Sequence, residues 1–193
     1  MLIPGKPVKH GASTDPSLSP QQAREILRDM ARTAEQAVMG VTMASMDELT
    51  LLSNRHGFTT LAQLGLDVCQ RLEIPATLLY FDLDYFKQIN YLYGRAEGDD
   101  ALKTFADVLR IAFRESDVVG RLGDDEFVVL LTGSSAVDLN AIKVRLEEIL
   151  DERNATMRRG YDIRFSIGQV EYDAALHPSV EELLNEVELL LHR

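Results

Sequence analysis

Two short stretches of this chain gather carboxylates in places where carboxylates do chemistry. The first, Ala76-Thr77-Leu78-Leu79-Tyr80-Phe81-Asp82, is a nearly continuous apolar and aromatic run that stops at Asp82 and Asp84. Such a run reads as a buried central strand, and the acidic pair at its end reads as a site, because ligands and metals are commonly held where strands end beside a loop. The second, Arg121-Leu122-Gly123-Asp124-Asp125-Glu126-Phe127, sets three consecutive carboxylates between the apolar runs Val118 to Leu122 and Glu126 to Leu131. Gly-Asp between strand-like runs predicts a two-residue hairpin, with Gly123 supplying the positive φ that such a turn demands. A polar hairpin tip also serves solubility alone. The second acidic strand end at Asp82 is what turns the reading toward a site.

Composition bounds what must hold these groups. The chain has 193 residues, 46% of them hydrophobic, enough for one core of ordinary size with residues left over for a tail or helix. A formal net charge of −11 leaves no basic stripe to neutralise phosphates, which argues against a general nucleic-acid binder. No stretch approaches the 18 apolar residues of a membrane span, and the opening residues lack the apolar run of a secretory signal. The single cysteine, Cys69, falls in a helical pattern with Leu61, Leu64, Leu66, Val68 and Leu72, so a buried, inert thiol is expected. A cytoplasmic protein without disulfides is the resulting expectation.

In chain order, residues 1–18 are rich in proline, glycine and serine and read as a flexible tail. Ser19 as N-cap and Pro20 at the first helical position open an amphipathic helix over residues 19–45, with Ala23, Ile26, Leu27, Met30, Ala34, Ala37, Val38 and Val41 at spacings of three and four. That helix is expected to pack on the domain, pair with a second copy, or receive a signal from a partner. Further helices are predicted from Arg55 to Leu72, Tyr85 to Tyr93, from Gly98-Asp99-Asp100 onward with Asp99 as cap, Ala136 to Leu150, and Val180 to Leu191. Ile163 to Val170 alternates like a strand. This order predicts an α+β fold, an α/β sandwich with a ferredoxin-like βαββαβ core, whose mostly antiparallel central sheet is covered by helices.

These motifs together resemble the GGDEF domain of bacterial diguanylate cyclases. The resemblance covers roughly residues 46–193 and rests on Asp47-Glu48-Leu49-Thr50 with Asn54-Arg55; Phe81-Asp82-Leu83-Asp84-Tyr85-Phe86-Lys87 with Asn90, Gly94 and Gly98-Asp99; the stretch Arg121 to Phe127; and Phe165-Ser166-Ile167-Gly168. Such domains condense two GTP molecules into cyclic di-GMP, each of two subunits holding one substrate. The resemblance implies Asp82, the Leu83 carbonyl and Asp125 as Mg²⁺ ligands, with Asp125 and Glu126 at the catalytic position. It also implies Lys87 and Gly123 near phosphate, and Asn90 with Asp99 as the pair that reads guanine. An amide donor and a carboxylate acceptor suit the guanine O6 and its N1 and N2 hydrogens. Arg114 and Asp117 match the family's inhibitory site for cyclic di-GMP, and Arg145 matches a further arginine that completes it; a planar guanidinium fork suits phosphate and guanine.

The departures from the pattern shape the functional expectation. Asp124 stands where the family has a second glycine, which crowds the substrate and adds charge. Leu51 replaces a glycine, Tyr91 an aspartate, and Arg95 a histidine, and the sequence given stops at Arg193, ahead of a lysine and an arginine that hold the triphosphate in the family. The expectation is a degenerate domain that binds cyclic di-GMP or regulates a partner. The alternatives are an active diguanylate cyclase using Mg²⁺ and GTP, and a dimerisation or docking module with no nucleotide role.

Overall fold

Apolar runs alternating with amphipathic segments predict helices laid over a sheet, and the computed structural model, which describes residues 20–133 and 137–191, has that arrangement. In order, the elements are α1 (Pro20–Ala44), α2 (Arg55–Leu72), β1 (Ala76–Leu83), α3 (Phe86–Tyr93), α4 (Arg95–Ala112), β2 (Val118–Arg121), β3 (Glu126–Thr132), α5 (Leu139–Met157), β4 (Phe165–Glu171) and α6 (Val180–Leu191). The four strands lie in the order β2-β3-β1-β4, every pair antiparallel, which is the ferredoxin-like arrangement. The expected tail over residues 1–18, and Ser19 as N-cap, lie outside the described residues.

Strand β1 is buried on both faces, which is why its sequence shows no alternation. Leu79, Phe81 and Leu83 face a core built with Phe105 and Leu109 of α4 and Leu146 and Leu150 of α5. Phe81 meets Phe105 and Phe165 edge-on at centroid distances of 5.9 Å. Leu78 and Tyr80 face the opposite core, built with Phe58 and Leu66 of α2 and Leu183, Leu184 and Val187 of α6. By the alternation of strand side chains, Asp82 shares the second face with Leu78 and Tyr80.

Three boundaries differ from the sequence reading. Helix α4 begins at Arg95, directly after Gly94, whose φ of +91° breaks the chain between α3 and α4; Asp99 therefore lies inside the helix and does not cap it. Helix α5 starts at Leu139, where the Asp138 side chain accepts from the Ala141 N–H at 3.1 Å, and runs on to Met157. Strand β4 starts at Phe165 rather than Ile163, because the Asn154 side-chain amide occupies both main-chain groups of Ile163 at 2.9 and 3.1 Å.

Cys69 is buried, and burial pushes its thiol up from the ordinary range, so it is an inert core group. Its apolar neighbours on α2 divide: Leu66 is in the core, whereas Leu61, Leu64, Val68 and Leu72 are exposed. The chain forms two compact units, Met1–Gly40 and Val41–Arg193. In the first, α1 presents exposed Ile26, Leu27 and Met30.

Candidate functional site

The sheet register assembles the acidic centre. Asp82 lies opposite Glu126 on β3 and Ser166 on β4. The Leu83 N–H donates to the Asp125 carbonyl at 3.1 Å, tying the β2–β3 tip to the end of β1. The Leu122 N–H donates to the Glu126 carbonyl at 2.9 Å, so the tip is the three residues Gly123, Asp124 and Asp125 instead of the expected two. None of the three adopts a left-handed backbone. A Cβ at Gly123 would stand 2.7 Å from the Glu126 carboxylate, so a side chain there would make the Glu126 side chain shift. Asp124 fits the backbone without strain, and it is exposed.

Burial pushes the Asp82 carboxyl up to about 6, with further upward pressure from Asp125, Glu126 and Asp84. One Asp82 oxygen, Oδ1, is buried with no hydrogen-bond partner, while Asp84 accepts from the Ser166 hydroxyl at 2.7 Å. Crowded carboxylates with a spare buried oxygen fit a hard divalent cation. Among the described residues no group of three or more His, Cys, Asp or Glu side chains converges as a ready metal cage. Two carboxylates and a main-chain oxygen would suit Mg²⁺, which keeps several waters and is usually completed by substrate phosphates. Leu83 could serve only through its main chain, since its side chain is in the core.

A support for this tip escaped the sequence reading. The Arg121 guanidinium lies 3.1 and 3.2 Å from the two Asp47 carboxylate oxygens, and it donates to the Asp124 carbonyl at 2.8 Å. Asp47 in turn accepts from the Thr50 N–H and hydroxyl at 2.9 and 2.6 Å. Burial alone would raise the Asp47 carboxyl, but the Thr50 hydrogen bonds and the Arg121 guanidinium hold it below the usual carboxylate range. The Asp47-to-Thr50 turn thus fixes the tip through Arg121. Asp47→Asn is expected to lower stability by about 1–2 kcal/mol, read from urea denaturation, with the loss shrinking below the usual carboxylate range as the wild-type carboxylate protonates.

The same turn contains Leu51, with φ +59° and its side chain exposed. A left-handed leucine costs roughly 1–2 kcal/mol, partly offset by the chain entropy that glycine would lose on folding. Leu51→Gly is therefore expected to raise stability by about 0.5–1 kcal/mol in the same denaturation assay.

Helices α3 and α4 bring Asn90 and Asp99 to one cavity of about 230 Å³, lined also by Phe86, Arg95, Leu102, Arg121 and Asp124. Gly98 makes room for Asn90, since a Cβ there would fall 1.8 Å from its Oδ1, which is buried without a partner. Asp124, an exposed residue, lines the same cavity. Lys87 is exposed on α3, outside the lining of this cavity. Tyr91 is 88% exposed and adds nothing to the cavity.

Arg114 and Asp117 form one turn: Asp117 accepts from the Arg114 N–H, and its own N–H donates to the Arg114 carbonyl, both at 3.0 Å. They border a larger hollow of about 800 Å³, lined also by Leu61, Leu64, Val68 and Ile74. Among the described residues no hydrogen bond or ion pair engages the Arg114 guanidinium. Arg145 is exposed on α5 and does not line that hollow.

Residues 44–193 match the family described as "Diguanylate cyclase, GGDEF domain". The probable diguanylate cyclase DgcC of Escherichia coli is 33% identical over 154 residues, spanning 78% of this chain and 40% of that protein. The chain thus covers less than half of that relative's length. Among solved structures, the GGDEF domain of TpbB (YfiN) from Pseudomonas aeruginosa aligns at 31% identity with a TM-score of 0.61, over 76% of this chain and 86% of that one. The coiled coil and GGDEF domain of DgcB from Caulobacter crescentus, in complex with c-di-GMP, shares the fold at a TM-score of 0.69 and 22% identity, over 80% and 83%. With its antiparallel sheet order, its acidic tip pinned to the end of β1, and a family match over residues 44–193, the chain belongs to the GGDEF diguanylate cyclase family.

Proposed function

We propose that this chain is a degenerate GGDEF domain with little or no diguanylate cyclase activity, acting as a cyclic di-GMP-binding regulatory module. The observation that carries the reading is Asp124, an exposed acidic residue that lines the cavity also lined by Asn90 and Asp99. In this reading Asn90 and Asp99 are the guanine readers, and Asp82, Leu83 and Asp125 keep a Mg²⁺ site. Asp125 and Glu126 keep the residue types of the chemistry, Gly123 keeps the phosphate approach on one side, and Lys87 is the remaining phosphate donor. Asp124 sets a fixed negative charge against the triphosphate. Arg121 does not offset it, being spent on Asp47 and on the Asp124 carbonyl.

Cyclic di-GMP is assigned to Arg114 and Asp117, supported by the free Arg114 guanidinium above an apolar hollow suited to a base. Arg145 belongs to that site only if a bound ligand draws it in. Regulation would pass through α1, whose exposed Ile26, Leu27 and Met30 suit pairing with a second copy or a partner helix. No helix among the described residues is long and apolar enough to cross a membrane. The proposal sets the module in the cytoplasm, where a lone reduced cysteine such as Cys69 is ordinary.

A second reading, an active cyclase, draws on the unstrained tip: Asp124 imposes no backbone cost and leaves the Asp82–Asp125 pair in place. Calorimetry with cyclic di-GMP and with GTP, beside a Mg²⁺ turnover assay, separates the two. The first reading expects cyclic di-GMP binding that Arg114→Ala weakens by about tenfold or more, whereas wild-type affinity in that variant counts against it.

A further inference from the structure

Behind the base cavity, the loop joining α5 to β4 is fastened to the helix pair that carries Asn90 and Asp99. The Tyr161 hydroxyl reaches the Glu97 carbonyl at 3.1 Å and the Glu97 carboxylate at 3.2 Å. Its ring packs on Tyr93 with centroids 4.8 Å apart, and the Tyr93 hydroxyl donates to the Gly160 carbonyl at 2.9 Å. Arg159 donates from Nη2 to the Thr104 hydroxyl at 2.8 Å and stands 3.6 Å from the Asp100 carboxylate. Thr104 passes its own hydroxyl hydrogen back to the Asp100 carbonyl at 2.8 Å. Glu97 and Asp100 lie in the first half of α4 and Thr104 at its middle. They flank Asp99, and they flank Gly98, whose missing side chain leaves room for Asn90.

A loop that merely connects two elements needs none of this. The Arg159 side chain is only 6% exposed, and its Nη1 is buried without a partner, so the guanidinium carries a desolvation cost that its two contacts offset only in part. The backbone around it also bends through left-handed conformations, φ +48° at Arg158 and +82° at Gly160. A buried charge kept at such a position earns its place by specifying geometry. The geometry it specifies is the placement of the first turns of α4 against α3.

We propose that Arg159, with Tyr161 and Tyr93, is a positioning device for base selection, holding α4 against α3 so that Asp99 and Asn90 converge on a single guanine edge. The inference rests on the reading of Asn90 and Asp99 as guanine readers. Arg159 touches no ligand; it acts through Asp100 and Thr104.

Two variants test it on the full chain: Arg159→Met keeps the aliphatic stem and removes the guanidinium, and Arg159→Lys returns a cation for Asp100. GMP and AMP, titrated by NMR, share one phosphate and differ only in the base, so the ratio of their Kd values reads base selection alone. Wild type is expected to prefer GMP. The preference should fall roughly tenfold in Arg159→Met and recover in part in Arg159→Lys, while cyclic di-GMP affinity stays unchanged. A folded Arg159→Met chain with the wild-type GMP-to-AMP ratio overturns the proposal. A wild type with no preference refutes Asn90 and Asp99 as readers, and amide exchange in the unliganded protein then decides on Arg159. Faster exchange confined to the first turns of α4 in Arg159→Met supports the positioning role, and unchanged exchange there overturns it.

Discussion

Replacing Asp124 with glycine is expected to tighten GTP binding by roughly a hundredfold. A carboxylate about 5 Å from a phosphate charge costs on the order of 3 kcal/mol at an effective dielectric near 20, and each 1.4 kcal/mol is a decade in affinity. The structure removes two ways in which that penalty could be hidden. Asp124 is not steered away by backbone strain, because the tip has no left-handed residue, and it is not neutralised by Arg121, whose guanidinium is engaged by the Asp47 carboxylate and the Asp124 carbonyl oxygen. The glycine variant needs no rearrangement of the tip, so the gain should appear in calorimetry without loss of stability. An unchanged GTP affinity would show that the added carboxylate does not weaken GTP binding.

The second large effect is at Asp82. Burial first, then Asp125, Glu126 and Asp84, raise its carboxyl to about 6, from an ordinary value of 3.8. Between those two values the folded chain holds a proton that the unfolded chain releases, so this group makes the metal-free protein lose stability as pH rises through that window. Above about 6 its contribution is level, because folded and unfolded states are then both ionised. Asp82→Asn removes the repulsion while keeping the shape. At neutral pH the variant is expected to melt several degrees above the metal-free wild type, since each kcal/mol is worth about 2–4 °C at this chain length. Mg²⁺ should raise the wild-type midpoint and leave that of the variant unmoved. A metal response that survives in Asp82→Asn would remove Asp82 from the candidate ligand set.

The elements that hold the carboxylates were legible where local pattern and tertiary context agree. Strand β1 reads as continuous apolar sequence because both its faces are covered, and the order of the motifs carries the family and the fold. The start of α4 was not legible: Gly94-Arg95-Ala96 offers no capping side chain, and the helix opens there because Gly94 adopts a φ that ordinary residues avoid. The tip was misread because Gly-Asp is a two-residue turn signal, whereas the register between Leu122 and Glu126 makes room for a third residue.

Contacts between distant positions leave no trace in spacing. Asp47 meets Arg121 across 74 residues and Thr104 meets Arg159 across 55, so neither the support of the tip nor the fastening of α4 shows in any local window. The apolar period of α2 has the opposite fault. It marks Leu61 and Leu64 for the core, yet periodicity alone does not say what covers a stripe, and both are exposed and line the hollow beside Arg114.

Asn90 and Asp99 were picked out by resemblance, and the structure sets both on one cavity wall. That cavity also contains Arg95 and Asp124, two of the positions that depart from the family pattern. Arg95 and Asp124 thus meet at one cavity, while Leu51 and Tyr91 lie outside its lining.

The proposed module keeps the fold of the family and is expected to bind cyclic di-GMP without turning GTP over. The decisive experiment incubates the full chain with GTP and Mg²⁺ and measures cyclic di-GMP over many equivalents of protein, beside Asp124→Gly under the same conditions. No product is expected to accumulate from the wild type, with any recovered activity confined to the glycine variant. Sustained product formation by the wild type, equal to that of Asp124→Gly, would contradict it.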